Sequence, residues 1–307
     1  MKSLFLTGAS GFLGSSMLRQ LRLEDYASIT LLSRSAPALP EFLAASDRLT
    51  VVRASIHEVD KYSRYLTPET QVVHLAAITG KADPQEYFAV NTEGTRLLVD
   101  AAVAAGVAGF LFVSSIAVSF RDRRGYHYAE SKELAEHCVR ESGLRYCIVR
   151  PTIILGEGSP IWGSFSALAR SSFILLPGSG RIKIQPIHVD DLVSLLLEIV
   201  SGDRFANETL DMGGPEELTM DEFVRRIHGA CRGGSPRLFH LPLGPVLGIL
   251  RLIERPFPSL LPVSSGQFAS FCNDGTAAGN DLLDAHADRM LKIDDMLQLL
   301  TGGQDSA

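Results

Sequence analysis

Leu4-Phe5-Leu6-Thr7-Gly8-Ala9-Ser10-Gly11-Phe12-Leu13-Gly14 decides how this chain is read. The apolar run Leu4–Leu6 predicts a buried first strand, and a helix-like segment follows at once from Ser15. Gly8 permits a tight turn, and Gly11 lets backbone N–H groups approach a pyrophosphate. Gly14 lets the helix pack closely on the strand, while the helix N-terminus attracts the anion. Strand, glycines and helix in this order say more than a glycine triplet alone. The plain alternative is a glycine-rich strand-to-helix turn. The ordered motif favours a nucleotide-binding chain.

Outward from this loop, Ser15–Leu23 carries Met17, Leu18 and Leu21 at helical spacing, a face for a sheet. Ile29–Leu32 is a second short strand that ends at Ser33-Arg34. Arg34 stands about 20 residues beyond the glycine motif, where an acid would grip a ribose 2′-hydroxyl. A guanidinium there suits a 2′-phosphate, so the reading favours NADP(H) over NAD(H). Further strands are expected at Leu49–Val52, Gln71–Ala76, Gly109–Ser114 and Tyr146–Val149, with long helices at Pro84–Ala105 and Tyr126–Glu141. Such alternation predicts an α/β fold, a Rossmann-type doubly wound parallel sheet with ligands at the carboxyl edge of its strands.

From Gly156 the pattern loosens into turn-rich segments around Pro160 and Pro177–Gly180, with helices at Ile161–Ala169, Val189–Val200 and Met220–Ala230, the last capped by Thr219. Residues 1–156, with a returning segment at about 181–213, are assigned to an NAD(P)-binding domain. Residues 157–180 and 214–307 are assigned to a small C-terminal substrate lobe.

Composition narrows the function. The 307 residues are 46% hydrophobic and 21% charged, ordinary for a globular protein. A net charge of −6 argues against a nucleic-acid partner. The four cysteines form no CxxC pair and the eight histidines no cluster, so buried thiols, no metal and a cytoplasmic location are expected. No segment approaches the roughly 20 uninterrupted apolar residues of a membrane span. Leu241–Pro262 is the most apolar late stretch, but Arg251, Glu254, Arg255 and its prolines exclude a spanning helix. It reads first as a helix packed on the lobe, with a cover for an apolar substrate or contact with a membrane surface as the alternatives.

Tyr128 and Lys132 lie four apart on one helix face. A tyrosine with a pKa near 10 is a poor acid–base at neutral pH, and a nearby ammonium favours the phenolate. Ser114 and Ser115 fall at the end of the fifth strand, where a hydroxyl can hold the same substrate oxygen. Tyr-x-x-x-Lys is common by chance and gains weight only beside the strand-end serines and the glycine loop. Arg121–Arg124 reads as a solvated basic loop, Asp190-Asp191 as helix-start acids, and His74 and His188 as strand-end packing residues.

With these pieces, the chain resembles the extended branch of the short-chain dehydrogenase/reductase superfamily, the NAD(P)-dependent epimerase/dehydratase-like proteins. The resemblance runs in order over about residues 1–230. It rests on Thr7–Gly14, His74-Leu75-Ala76-Ala77, Asn91–Thr95, Phe112–Ser115, Tyr128-x-x-x-Lys132, Arg150-Pro151 and Pro186–Leu192. It implies a catalytic Ser115, Tyr128 and Lys132, with Lys132 also holding the nicotinamide ribose. It implies cofactor contacts from Gly8, Ser10, Gly11, Phe12, Leu13, Gly14, Leu75, Ala76, Ala77, Asn91 and Ser114. Ser55 and Ile56 would flank the adenine, and the backbone at Pro151 and Ile153 would face the carboxamide.

Two departures matter: Ser55 replaces a frequent aspartate, and Thr152–Gly158 is apolar where sugar-nucleotide enzymes carry an arginine. The resulting expectation is an NADP(H)-dependent oxidoreductase moving a hydride between nicotinamide and a carbonyl or carbinol of a mainly apolar small molecule. An epimerase/dehydratase that regenerates its cofactor is one rival; a non-catalytic NADP-binding structural or sensor protein is the other. A homodimer through the two long helices is implied by the family alone.

Overall fold

The computed structural model describes residues 1–244, 268 and 271–302. Its main sheet is built from β1 (Lys2–Thr7), β2 (Tyr26–Ser33), β3 (Leu49–Arg53), β4 (Thr70–His74), β5 (Gly109–Val113) and β6 (Tyr146–Pro151). A seventh strand, Glu208–Met212, lies beyond β6, giving the spatial order 7-6-5-4-1-2-3. Every pairing from β3 through β2, β1, β4 and β5 to β6 is parallel. The order reverses between β1 and β4, so the crevice expected of a doubly wound sheet opens at their carboxyl ends. This is the Rossmann-type α/β architecture.

Parallel strands covered on both faces must be apolar throughout. All five residues of β4 and of β5 are accordingly buried. Phe5, Tyr62, Val72, Leu98, Phe110, Phe112 and Ile148 form one core cluster. Each fully buried aliphatic or aromatic side chain contributes about 1.5–3 kcal/mol, so this core sets the strand ends to which the site residues are attached.

The chain divides into two compact units. The first comprises residues 1–115, 127–150 and 189–210. In it the helix Val189–Ser201 is anchored to the helix Phe12–Gln20, because the Asp190 carboxylate accepts bonds from Ser16 Oγ (2.6 Å) and Gln20 Nε2 (3.2 Å). Asp190 therefore serves structure, as its sequence position suggests.

The expected single helix Pro84–Ala105 is interrupted. Pro84–Tyr87 and Gly94–Ala105 are α-helical, but Phe88–Glu93 between them is a π turn. Hydrophobic spacing does not register a single surplus residue, and such bulges gather where side chains must be re-aimed.

The second unit comprises residues 116–126, 151–188 and 211–307. Its helices Pro160–Ala169, Met220–Arg232 and Ile293–Gly302 enclose a core that includes Trp162, Ile174, Leu176, Phe223 and Met296. Thr219 caps the second of these in a reciprocal box: its hydroxyl accepts from Glu222 N (3.2 Å), and Glu222 Oε2 accepts from Thr219 N (2.7 Å). A two-stranded parallel ribbon, Phe173–Pro177 with Arg237–Leu241, was not expected from the sequence, which shows only turns nearby. Residues 245–262 of the apolar late stretch lie outside the described residues. No helix among the described residues is long and apolar enough to cross a membrane.

Candidate active site

The loop after β1 is shaped by backbone contact. Gly8 adopts φ +76°, and a Cβ there would lie 2.7 Å from Ala76 N. A Cβ on Gly14 would lie 2.1 Å from Gly8 O and 2.8 Å from Ala9 Cα, so the first helical turn rests directly on the loop. Gly11 is the N-cap of Phe12–Gln20, with no side-chain cap and no acid in the first turn. Phe12 and Leu13 open the helix, half-buried. Uncapped N–H groups at a helix start, approached through glycine, fit a pyrophosphate. A Gly14→Ala protein is expected to bind NADPH about 10- to 100-fold more weakly, the loss that overpacking of 1–3 kcal/mol produces. Calorimetric titration beside a thermal melt checks it.

Along the same strand edge, Ser33 Oγ donates to Ser10 Oγ (3.0 Å), joining the end of β2 to the glycine loop. Arg34 is exposed immediately beyond. Arg53, which sequence reasoning overlooked, is the register partner of Ser33 on β3 and is exposed too. Neither arginine has an ion-pair partner among the described residues. A basic residue closing β3 was the available signal. Ile56 is buried and meets Gly94, where a Cβ would lie 2.6 Å from Ile56 Cγ2. Ser55 is half-buried, its amide held by Glu58 Oε2 (2.8 Å). Leu75, Ala76 and Ala77, half-buried, leave the end of β4 opposite Gly8.

Asn91 is 1% exposed, and its amide is fully engaged by protein groups. Its Oδ1 accepts from Ile78 N (2.8 Å), and its Nδ2 donates to Ile78 O and Ser131 Oγ (both 3.0 Å). His74 is buried between Thr7 Oγ1 (2.7 Å) and Thr95 Oγ1 (2.8 Å). Burial, reinforced by the Lys132 charge, pushes its pKa down to about 3, so it is a neutral bridge at neutral pH. His74 thus does more than pack.

Ser115 follows β5, and Tyr128 and Lys132 project from the helix His127–Arg140. All three belong to the first unit, and Tyr128 and Ser115 share a hydrogen bond. Burial raises the Tyr128 pKa, the Ser115 hydrogen bond lowers it, and neighbouring Tyr87 raises it slightly. Tyr87 meets the ring edge-on, with centroids 6.0 Å apart. Lys132 is 2% exposed; its Nζ donates to Val113 O (2.7 Å) and sits 4.2 Å from the centre of the Phe112 ring. Burial pulls its pKa down to about 7, against an opposing pull from Glu136. The sequence expected Lys132 to depress Tyr128. In the protein alone, burial instead holds the tyrosine as phenol and Lys132 close to half-protonated at neutral pH.

This has a consequence for stability. An unfolded lysine stays protonated to near 10.4, so between about pH 7 and 10 the unfolded chain binds more protons and stability rises with pH. The gain is on the order of 1 kcal/mol per pH unit. Relative to Lys132→Met, the wild-type protein is expected to gain melting temperature from pH 7 to pH 9; parallel curves would overturn this.

Glu136, one turn beyond Lys132, is the second residue sequence reasoning missed. It is fully buried, yet it accepts from Arg150 Nε (2.8 Å), Arg150 Nη2 (2.6 Å) and Arg140 Nη2 (2.7 Å). Burial pushes its carboxyl up, but Arg150, the Ser114 hydroxyl and Arg140 together hold it below the usual range. The acid four residues after Lys132 was the available signal. Pro151 and Ile153 belong to the second unit. Arg124 of the basic loop pairs with Asp122 (2.7 Å). Among the described residues no group of three potential ligands could hold a metal ion.

Comparison with known proteins gives the family. A family model described as NAD(P)H-binding matches residues 8–161, and one described as male sterility protein matches residues 123–209. A ceramide reductase of Caulobacter vibrioides is 30% identical, over 81% of this chain and 76% of its own length. A UDP-glucose 4-epimerase of Vibrio cholerae is 27% identical, over 74% and 75%. A 3-beta-hydroxysteroid dehydrogenase of Mycolicibacterium neoaurum is 28% identical, over 76% and 71%. Among solved structures, a nucleoside-diphosphate-sugar epimerase from Staphylococcus aureus superposes with a TM-score of 0.75 at 17% identity, over 97% of this chain and all of that one, a likeness of fold. The chain belongs to the NAD(P)-binding, extended short-chain dehydrogenase/reductase family of epimerases, dehydratases and dehydrogenases, and it is an enzyme.

Proposed function

We propose that the protein is an NADP(H)-dependent oxidoreductase acting on the carbonyl or carbinol of a mainly apolar small molecule. The observation that carries this is the hydrogen bond between Ser115 and Tyr128, with Lys132 one turn along the same helix, in the unit that holds the glycine cradle. NADP(H) would supply the hydride when bound. Gly8, Gly11 and Gly14 would receive its pyrophosphate, Lys132 its ribose, and Ser55 and Ile56 its adenine. Ser115 orients the substrate oxygen, and Tyr128 passes a proton to or from it. Asn91 acts one layer back, fastening the loop after β4 to the Tyr128 helix.

Arg34 and Arg53, exposed at neighbouring strand ends and without an ion-pair partner among the described residues, support the 2′-phosphate reading. NADPH is expected to bind at least about tenfold more tightly than NADH, as two charge-assisted contacts warrant. Arg34→Ala should erase most of that preference and Arg53→Ala part of it. Equal affinity of the wild-type protein for both cofactors would sink the assignment.

Substrate polarity rests on Thr152-Ile153-Ile154-Leu155 and on the kinship with a ceramide reductase. A second reading, cofactor-regenerating epimerisation, is favoured by the epimerase relative. Net oxidation of NADPH by a long-chain ketone supports the first. Conversion of a nucleotide sugar with no net change in cofactor supports the second.

A further inference from the structure

The second unit carries an apolar face with no described cover. In the ribbon, Ile174 and Leu176 point into the core, whereas Phe173 and Leu175 are each 58% exposed. Across the ribbon, Phe239 is 49% and Leu241 36% exposed, and Phe239 is the register partner of Leu175. Phe173 and Phe239 stack with centroids 6.3 Å apart, so these side chains form one continuous patch.

Its surroundings are more basic than acidic in an acidic protein, although the Asp221 carboxylate lies 2.9 Å from His240 Nε2 on the ribbon. The chain has a net charge of −6, yet residues 158–189 and 223–244 contain no Asp or Glu. Three arginines gather where the two strands begin. Arg237 lies 5.6 Å over the Phe173 ring, Arg232 Nη1 donates to Arg170 O (2.5 Å), and Arg225 Nη1 donates to Pro236 O (3.3 Å). All three are exposed, and among the described residues their bonds are to a ring face or to neutral carbonyls rather than to carboxylates. Aromatic and leucine side chains flanked at one end by arginines match the water–membrane boundary: rings enter the headgroup layer, while guanidiniums stay among phosphates. A partner protein with an acidic rim would also meet the charge, but the acid-free stretches extend well past the ribbon, which suits a broad anionic surface.

We infer that the ribbon Phe173–Pro177/Arg237–Leu241 docks the protein on an anionic phospholipid surface. The contact is peripheral, with side chains entering the interface and the backbone outside the hydrocarbon. The surface is read from the second unit alone and stands independently of the cofactor assignment. It adds to that assignment a place where a lipid-like carbonyl compound would be met.

Flotation of the full-length protein with phosphatidylcholine vesicles, with and without phosphatidylglycerol, tests the inference. Binding is expected only with phosphatidylglycerol and is expected to weaken as salt rises. Arg237→Glu should weaken partitioning at least about fivefold, the worth of one basic residue near such a surface. The exposed double variant Phe173→Ser/Phe239→Ser should weaken it at least about tenfold, with its melting temperature retained. Three outcomes would overturn the inference: no binding to any vesicle at low salt, equal binding to both compositions, or a wild-type dimer that the double variant converts to a monomer. That last result would assign the patch to a second copy of the chain. NADPH affinity, measured separately, reports on the oxidoreductase reading without reference to vesicles.

Discussion

Replacing Tyr128 by phenylalanine is expected to reduce kcat by about 10²- to 10⁴-fold, the range that one positioned proton donor contributes. The substitution removes one oxygen and keeps the ring, so the edge-on contact with Tyr87 survives. Lys132 also keeps its bond to Val113 O, which does not involve the phenol. NADPH affinity should therefore hold while turnover collapses, and that combination separates lost chemistry from lost structure. The pH profile carries a second signature. Burial raises Tyr128 and lowers Lys132, so the protein alone holds its proton on the phenol at neutral pH. In the oxidative direction activity should accordingly climb with pH, since the phenolate is the form that accepts a proton. A Tyr128→Phe protein with turnover within a few-fold of wild type would remove Tyr128 from the chemistry.

Glu136→Leu is expected to destabilise the first unit by about 3–5 kcal/mol, the cost of leaving a buried ion network without one partner. The carboxylate joins the helix His127–Arg140 to Arg150 at the end of β6, and Arg140 reaches Thr209 Oγ1 (3.1 Å) on the seventh strand. Removing it takes the shared carboxylate from two guanidiniums and loosens the helix that presents Tyr128 and Lys132. Glu136→Gln keeps the shape and part of the hydrogen bonding, so it should lose less. Denaturant unfolding of the three proteins reads the difference. Equal stability of the leucine variant would mean that water serves the arginines as well as the carboxylate does.

The strand-loop-helix unit was legible because its chemistry is local. Gly8, Gly11 and Gly14 fall within seven residues, and Gly14 is required by Gly8 and Ala9 close by in sequence, although Gly8 itself is pressed by Ala76 at the end of β4. The apolar runs of β1, β4 and β5 announced strands buried on both faces. Tyr128 and Lys132 were legible as a pair because helical spacing alone sets them side by side. What stayed hidden depends on partners far apart in sequence. Glu136 acquires its role only when β6 brings Arg150 beside it, fourteen residues on. Arg53 matters only because parallel pairing sets it beside Ser33. The ribbon of the second unit joins segments some sixty residues apart, with no hairpin turn between them to advertise the pairing. The pKa of Tyr128 was misjudged for a related reason: burial, a property of the whole fold, outweighs what helical spacing suggests.

The π turn at Phe88–Glu93 carries a consequence for how this segment can change over generations. It is a helix with one residue too many, and both of its flanks are moored. Upstream, the Tyr87 hydroxyl donates to Gly80 O and accepts from Ala82 N (3.1 Å). Downstream, Asn91 holds Ile78, Thr92 Oγ1 donates to Ser131 O (2.9 Å), and Thr95 receives His74. Deleting one residue between Tyr87 and Asn91 would restore ordinary helical spacing but rotate one flank about 100° against the other, releasing one of the two moorings. The segment should accept many single replacements at its exposed positions, yet resist any change in length. Its residue count, more than its composition, is what selection would keep.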